Sequence, residues 1–583
     1  MFQENSIACA IFTAERRASA LPAFVDPVAP PLSYGAAAQL VHQLAEALMA
    51  TGIRRGARIG FTAPRGPLGV IGFLAASEIG TCCPLNPRLK PDELTASLDR
   101  MAVDLLLDGS SEPTVSSTAQ RLGIAYLSAH MQDSGLLEVS GLSGSLRAQT
   151  ELEETAPAML MATSGTTSRP KLVPISHANV LAAAGAIGTA FSLEPGDLCL
   201  DPMPLHHVHG LISAALSSLL AGSSVYCTQG FSPGEFARAC AVLQPTWFTA
   251  SPAMHLALRE YFEHASSVPP AGRLRFFRSS SAPLPPSAIT ALEALFSAPL
   301  IETYGLTETA SMVCSNPLPP AMRKQGSVGI AFGSEIKVVM ASGQTCAADE
   351  PGEIAIRGPS VITAYEDNAA ADSFLDGWLL TGDIGRMDAD GYLFIVGRVK
   401  EVIKRGGLSV YPAEVDDALC AIPGVAEAVT FAVEHSSLGE DVVAAVVARA
   451  GATLDSAALR VEVGRRLSTY KVPSVVLVVD AIPKNETGKF VRKQVAAHLA
   501  EALAPRGEAP LGGTEKLLLD AWREVIGRQD IGVTDNVFLY GADPLRAGWA
   551  AELIRASGLW TPILKDLLAA PTVREQAQKV QSQ

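Results

Sequence analysis

Thr163-Ser-Gly-Thr-Thr-Ser-Arg-Pro-Lys171 decides how the rest of the chain is read. The apolar run Ala158–Ala162 precedes it, so a strand feeds a hydroxyl-rich loop that closes on a lysine. Backbone N–H groups and Ser/Thr hydroxyls in such a loop suit polyphosphate oxygens, and a lysine neutralises their charge. The order G-x-x-x-x-G-K-[ST] of a Walker loop does not occur here, so this is another kind of phosphate cradle. Taken alone, the same residues also fit a polar surface loop.

Outward from this loop, residues 35–400 alternate helix-like stretches with short apolar runs. Leu40–Leu48 reads as an amphipathic helix, and Ala102–Leu107 and Gly222–Cys227 as buried strands. The alternation predicts layered α/β architecture with mostly parallel sheets. Near Gly391–Arg398 the character changes. Tyr392–Val396 predicts a strand, Pro412–Leu419 a short helix, and Ala426–Val433 and Val442–Ala448 β-rich runs. The expected organisation is a large α/β domain over 1–396 and a small α+β domain over 397–503. A linker over 504–512, with Pro505 and Pro510, leads to an all-α helical bundle over 513–583. In that last stretch Leu518, Trp522, Val525 and Ile526 recur on one helical face.

Composition narrows the function. The chain has 583 residues, 48% hydrophobic and 18% charged, and a net charge of −14. An acidic chain lacks the basic face of a general nucleic-acid binder. Its nine cysteines show no C-x-x-C spacing, so neither zinc site nor disulfide framework is expected. The opening residues lack the basic-then-apolar order of a secretory signal. No apolar run approaches the roughly 18 residues of a membrane span. A soluble cytoplasmic enzyme is the expectation, with no nucleic-acid or membrane partner.

Further motifs follow in a fixed order: Tyr304-Gly-Leu-Thr-Glu308, Thr381-Gly-Asp383, Gly397-Arg398, Gly406-Gly407 with Tyr411-Pro-Ala-Glu414, and Pro483-Lys-Asn-Glu-Thr-Gly-Lys489. Together with the loop at 163–171 they resemble the adenylate-forming superfamily of acyl-CoA synthetases, nonribosomal peptide synthetase adenylation domains and luciferases. The resemblance covers residues 10–500.

It implies ATP-dependent activation of a carboxylic acid as acyl-AMP, then transfer to a thiol. Thr163, Ser164, Gly165, Thr166, Thr167 and Lys171 would hold the β- and γ-phosphates. Glu308 would ligate Mg²⁺, a hard cation suited to carboxylate and phosphate oxygens, and Thr307 would bond the α-phosphate. Ser281, Ala282 and Tyr304 would flank the adenine. Asp383 would accept from the ribose hydroxyls, with Arg398 beside the nucleotide. Lys489 would bridge the attacking carboxylate and the nucleotide. Lys400 falls at the family's hinge, and the Gly406–Gly407 turn would admit the pantetheine thiol close to backbone.

His206, His207 and His209 concentrate three of ten histidines in four residues. A metal site is conceivable, but no carboxylate or cysteine cluster accompanies them. Acyl-CoA synthetases often carry H-x-x-G here, which assigns these histidines, with Gly305, to the acyl pocket. His209 falls where amino-acid-activating domains place an Asp for the substrate ammonium, so a standard α-amino acid is disfavoured. Pro245-Thr-Trp-Phe-Thr-Ala-Ser-Pro252 and Ser315-Asn-Pro-Leu-Pro-Pro320 are similar to oxalyl-CoA synthetases, which favours a small or polar acid. Departures from those enzymes are His206, Leu172 and Leu408-Ser409.

Residues 513–583 resemble a peptidyl- or acyl-carrier domain through Asp520-Ala-Trp-Arg-Glu-Val525, Asp535-Asn-Val-Phe538 and Ala570-Pro-Thr-Val573. Carriers present G-G-D-S-L, whose serine takes phosphopantetheine. Here the row is Gly541-Ala-Asp-Pro-Leu545, and proline has no hydroxyl, so no covalent arm is expected. The acceptor is therefore external. CoA and the phosphopantetheine of a separate carrier protein both remain open, as does a catalytically inert scaffold.

Overall fold

The structure is a computed structural model that describes residues 2–132, 135–146, 156–163, 171–264, 269, 272–366, 371–435, 438–484, 490–505, 507–542 and 544–581. Ser164, Gly165, Thr166, Thr167 and Lys489 lie outside the described residues. The chain divides into two compact units. One is Met1–Thr381 with Gly385–Ile395, and the other is Gly382–Ile384 with Val396–Gln583.

The first unit contains a nine-stranded and a seven-stranded sheet. The centre of the larger runs parallel through Leu300–Leu306, Phe276–Ser279, Trp247–Ala250, Leu198–Asp201 and Ser224–Cys227. Arg58–Thr62, Thr81–Leu85, Leu105–Asp108 and Ala125–Met131 run parallel in the smaller. Their continuous apolar composition suits strands covered on both faces. All four residues of Trp247–Ala250 are buried, as are Leu68–Ile79 of the helix Pro67–Ile79. A third sheet departs from the parallel expectation, beginning with the antiparallel pair Glu335–Val339 and Gly352–Arg357.

Two expected strands start later than their apolar runs. Ala102 takes φ 49° in the turn after the helix Pro91–Arg100, so the strand begins only at Leu105. Gly222 caps the preceding helix at φ 82°, and the next strand starts at Ser224. Helix termination overrides apolar pattern at both places.

In the second unit a five-stranded sheet is built around the long antiparallel pair Val425–His435 and Gly439–Ala448. The helices Pro412–Cys420 and Ser456–Arg466 contribute Val415, Leu419, Leu459 and Val463 to its core. Residues beyond 512 form the helices Gly513–Ile526, Pro544–Ala556, Leu564–Ala569 and Val573–Gln581. Leu518, Trp522, Val525, Val537 and Leu567 make a separate core there. Trp522 closes it by donating to Gln576 Oε1 at 2.9 Å.

This helical tail is tied to the small sheet domain. His435 accepts from Leu438 N at Nδ1 (3.2 Å), leaving Nε2 to donate to the Phe538 carbonyl at 3.0 Å. Asn536 donates to the Ser474 carbonyl (2.8 Å) and Tyr540 to the Leu503 carbonyl (2.6 Å). Among the described residues no helix is long and apolar enough to cross a membrane.

Candidate active site

The strands Met159–Thr163 and Lys171–Ile175 flank the stretch expected to hold phosphate, and in them Thr163 and Lys171 are directly registered antiparallel partners. Thr163 Oγ1 also donates to the Lys171 carbonyl at 3.4 Å.

Lys171 starts a chain of polar contacts within the first unit. Its Nζ donates to Ser373 Oγ at 3.2 Å and lies 4.2 Å from the centre of the Tyr365 ring. Tyr365 in turn donates its hydroxyl to Glu308 Oε1 at 3.0 Å. The main chain fixes this approach, because Ile362 N donates to the Glu308 carbonyl at 2.9 Å. Burial and the Glu308 carboxylate raise the Tyr365 pKa, so the phenol keeps its proton and remains the donor.

Glu308 stands in the short 3₁₀ turn Thr307–Thr309. Thr309 Oγ1 holds the turn, accepting from Leu306 N (2.9 Å) and donating to the Ser311 carbonyl (2.7 Å). Thr307 supplies the carbonyl that takes the Ala310 N–H. Tyr304, on the strand before the turn, packs against the cluster containing Val313 and Cys314. A single carboxylate fits Mg²⁺, which keeps several waters and takes most of its remaining ligands from substrate phosphates.

The three histidines do not converge. His209 is buried at the start of the π-helix His209–Leu216. Its Nε2 lies 2.6 Å from Thr249 Oγ1 and its Nδ1 lies 3.1 Å from Ser281 Oγ. His206 and His207 pack ring against ring at 4.5 Å. Burial, then His207 and Arg65, lower the His206 pKa to about 3, so its ring is neutral at physiological pH. Among the described residues no group of three or more His, Cys, Asp or Glu is arranged to hold a metal. Ser281 adopts φ 80° and Ala282 beside it is exposed. The residue expected at the adenine therefore bonds the histidine expected at the acyl group.

In the second unit, buried Asp383 pairs with Arg398 Nε at 3.0 Å. Lys400 is exposed in the 3₁₀ turn Val399–Glu401. Gly406 and Gly407 adopt φ 58° and 84° between the registered residues Arg405 and Leu408. Two central residues at positive φ define a tight hairpin turn of the type that glycine serves best. Arg405 anchors that hairpin through Asp441 (2.7 Å) and through the Tyr470 and Val472 carbonyls, both at 2.9 Å.

Sequence reading missed Tyr365 and Ser373, which carry no motif and enter the site through partners distant in sequence; Thr249 lay in the quoted stretch Pro245–Pro252 but received no role of its own.

A family profile described as AMP-binding enzyme matches residues 12–366, and one described as AMP-binding enzyme C-terminal domain matches 414–489. An oxalate–CoA ligase of Arabidopsis thaliana is 36% identical over 476 residues, covering 79% of this chain and 92% of the relative. A sulfoacetate–CoA ligase of Cupriavidus necator is 39% identical over 346 residues, 59% of this chain and 67% of the relative. Among solved structures, ATP-bound MatB from Rhodopseudomonas palustris superposes with a TM-score of 0.74 at 26% identity, covering 86% of this chain and 99% of MatB. Neither family profile extends past residue 489.

Proposed function

The chain belongs to the AMP-binding enzymes, and on that premise we propose that it activates a small carboxylic acid as acyl-AMP and passes the acyl group to CoA. It is an AMP-forming acid–thiol ligase. The observation that carries the reading is the linked set Lys171, Tyr365 and Glu308 beside the paired ends of the phosphate loop.

In the first step an acid oxygen bonds to the α-phosphorus of ATP as the bond to pyrophosphate breaks. Both reactants are anionic, so the protein's task is positioning and charge neutralisation. Lys171 offsets phosphate charge, and Tyr365 orients the Glu308 carboxylate. Glu308 would hold Mg²⁺, which supplies Lewis-acid neutralisation of the phosphate oxygens. Thr307, Tyr304, Ser281 and Ala282 would line the nucleotide, and His206, His207, His209 and Gly305 the acid. Asp383 and Arg398 would serve the ribose. Lys489, from the final motif, would neutralise the attacking carboxylate. In the second step a thiolate attacks the acyl carbon and AMP leaves, with the Gly406–Gly407 turn giving the thiol room.

ATP–pyrophosphate exchange across short mono- and dicarboxylates, sulfonated acids, amino acids and aryl acids tests the first step. CoA addition tests the second. Exchange with at least one small acid and release of its CoA thioester are expected. No exchange with any acid would overturn the adenylation reading. Acyl transfer to a separate carrier protein but not to CoA would favour assembly-line chemistry, the reading to which the helical tail lends weight.

The tail itself reads as a carrier-like bundle without an arm. Pro544 is the first residue of the helix Pro544–Ala556, a place where its missing N–H breaks no helical bond. Incubation with CoA and a phosphopantetheinyl transferase is expected to leave the intact mass unchanged. A gain of one phosphopantetheine would sink this assignment.

A further inference from the structure

Arg278 belongs to the largest fully buried side chains of the chain, with 1% of its surface exposed. It lies on the strand Phe276–Ser279, three residues before Ser281. Its hydrogen bonds go to neutral oxygens: Nε donates to Thr303 Oγ1 at 3.1 Å and Nη1 to the Ser213 carbonyl at 3.4 Å. Among the described residues no carboxylate forms an ion pair with it.

These partners lie on the elements that carry candidate acyl-pocket residues. Ser213 belongs to the π-helix that starts at His209, and Thr303 immediately precedes Tyr304. Thr249, which bonds His209, is the registered strand partner of Arg278. In a parallel pair such partners project to the same face of the sheet. One buried cation is thus tied to the helix and strands that carry the pocket.

The charge has no ion-pair partner among the described residues, and its Cζ lies 5.9 Å from the centre of the Phe191 ring. Burial lowers the Arg278 pKa to about 10, which leaves the guanidinium charged at neutral pH. Asp201 is the carboxylate that acts on it, but burial raises that group's pKa well above the usual range. Asp201 Oδ1 accepts from Met203 N at 3.0 Å, while its buried Oδ2 has no hydrogen-bond partner. A guanidinium removed from water without an ionic partner is costly, and an anionic ligand nearby would offset part of that cost.

We propose that Arg278 is a specificity-determining residue, whose buried positive charge favours short acids carrying a second anionic group over monoacids. The inference rests on the acid-activation reading above. It acts through the field at the pocket and requires no contact with the reacting carboxylate. A sulfonate and a second carboxylate satisfy the same requirement.

The test uses the full-length protein and pyrophosphate exchange, with oxalate, malonate and sulfoacetate measured against acetate and propionate. The wild type is expected to prefer the doubly anionic acids. R278Q is expected to reduce the ratio of their kcat/KM to that of the monoacids by about tenfold to a hundredfold, the range for unit charges separated by several ångströms at intermediate dielectric. R278K keeps the charge and is expected to keep the ratio, although overall activity falls because it cannot reproduce both hydrogen bonds. Equal loss for both classes in R278Q would mean a structural role and overturn the inference. If R278Q does not fold, loss of the ratio in folded R278K does the same. Wild-type exchange with monoacids alone overturns the inference and leaves acid activation standing, whereas no exchange with any acid removes the reading beneath it.

Discussion

Glu308→Gln is expected to lower ATP–pyrophosphate exchange by about two orders of magnitude or more, the usual scale for losing a principal electrostatic contact in a site of this kind. Glutamine has nearly the same shape, and its carbonyl oxygen can still accept from the Tyr365 hydroxyl, now at 3.0 Å from the carboxylate. The turn around it is built by Thr309 and the main chain, neither of which changes. Only the negative charge disappears. Thermal midpoint should therefore stay close to wild type while exchange collapses, and raised Mg²⁺ should restore part of it. Tyr365→Phe separates orientation from charge: it removes the hydroxyl that holds the carboxylate and should cost less than the charge itself. Exchange within threefold of wild type in the glutamine variant would show that Glu308 carries no essential charge.

The same region shows what sequence can and cannot convey. Loop and motif order singled out Thr163, Lys171, Tyr304 and Glu308 as candidates, because local runs of Gly, Thr and charged residues reflect local backbone needs. Tyr365 had no such signature. It reaches Glu308 from 57 positions away through packing and the Ile362 N–H contact. Arg278 likewise looks like any surface arginine until Phe276 and Trp247, stacked at 5.5 Å, show that its strand lies in the interior. The partners of the histidines were not legible either. Three imidazoles adjacent in sequence suggest a common task, yet the π-helix takes His209 to Thr249 and Ser281 while His206 and His207 stay together. In the tail, the spacing of Leu518, Trp522 and Val525 made a helix legible. Its attachment through His435 and Phe538 was not, because a carbonyl acceptor leaves no mark on residue type.

Gly305→Ala is expected to damage stability and activity together. A Cβ built at Gly305 lies 1.7 Å from the Ser311 carbonyl oxygen and 2.8 Å from Met312 Cα. Both are backbone atoms, so no side chain can swing aside. The pairing of Leu300–Leu306 with Ser311–Ser315 shifts register between Tyr304 and Gly305, and the close approach belongs to that irregularity. Accommodating the methyl means separating two strands at the point where the 3₁₀ turn carries Thr307 and Glu308. A cost of about 3 kcal/mol or more is the scale for forced backbone displacement in a packed interior. Gly407→Ala is the matched control. Nothing lies within 4 Å of a Cβ there, and its φ of 84° leaves only conformational strain, about 1 kcal/mol. Thermal midpoint and pyrophosphate exchange on both variants distinguish the two effects. Gly305→Ala should lose exchange along with stability because Glu308 moves with its strand, whereas Gly407→Ala should retain exchange. If alanine at 305 leaves both quantities near wild type, the strands yield more readily than this geometry implies, and the placement of Glu308 does not depend on their close contact.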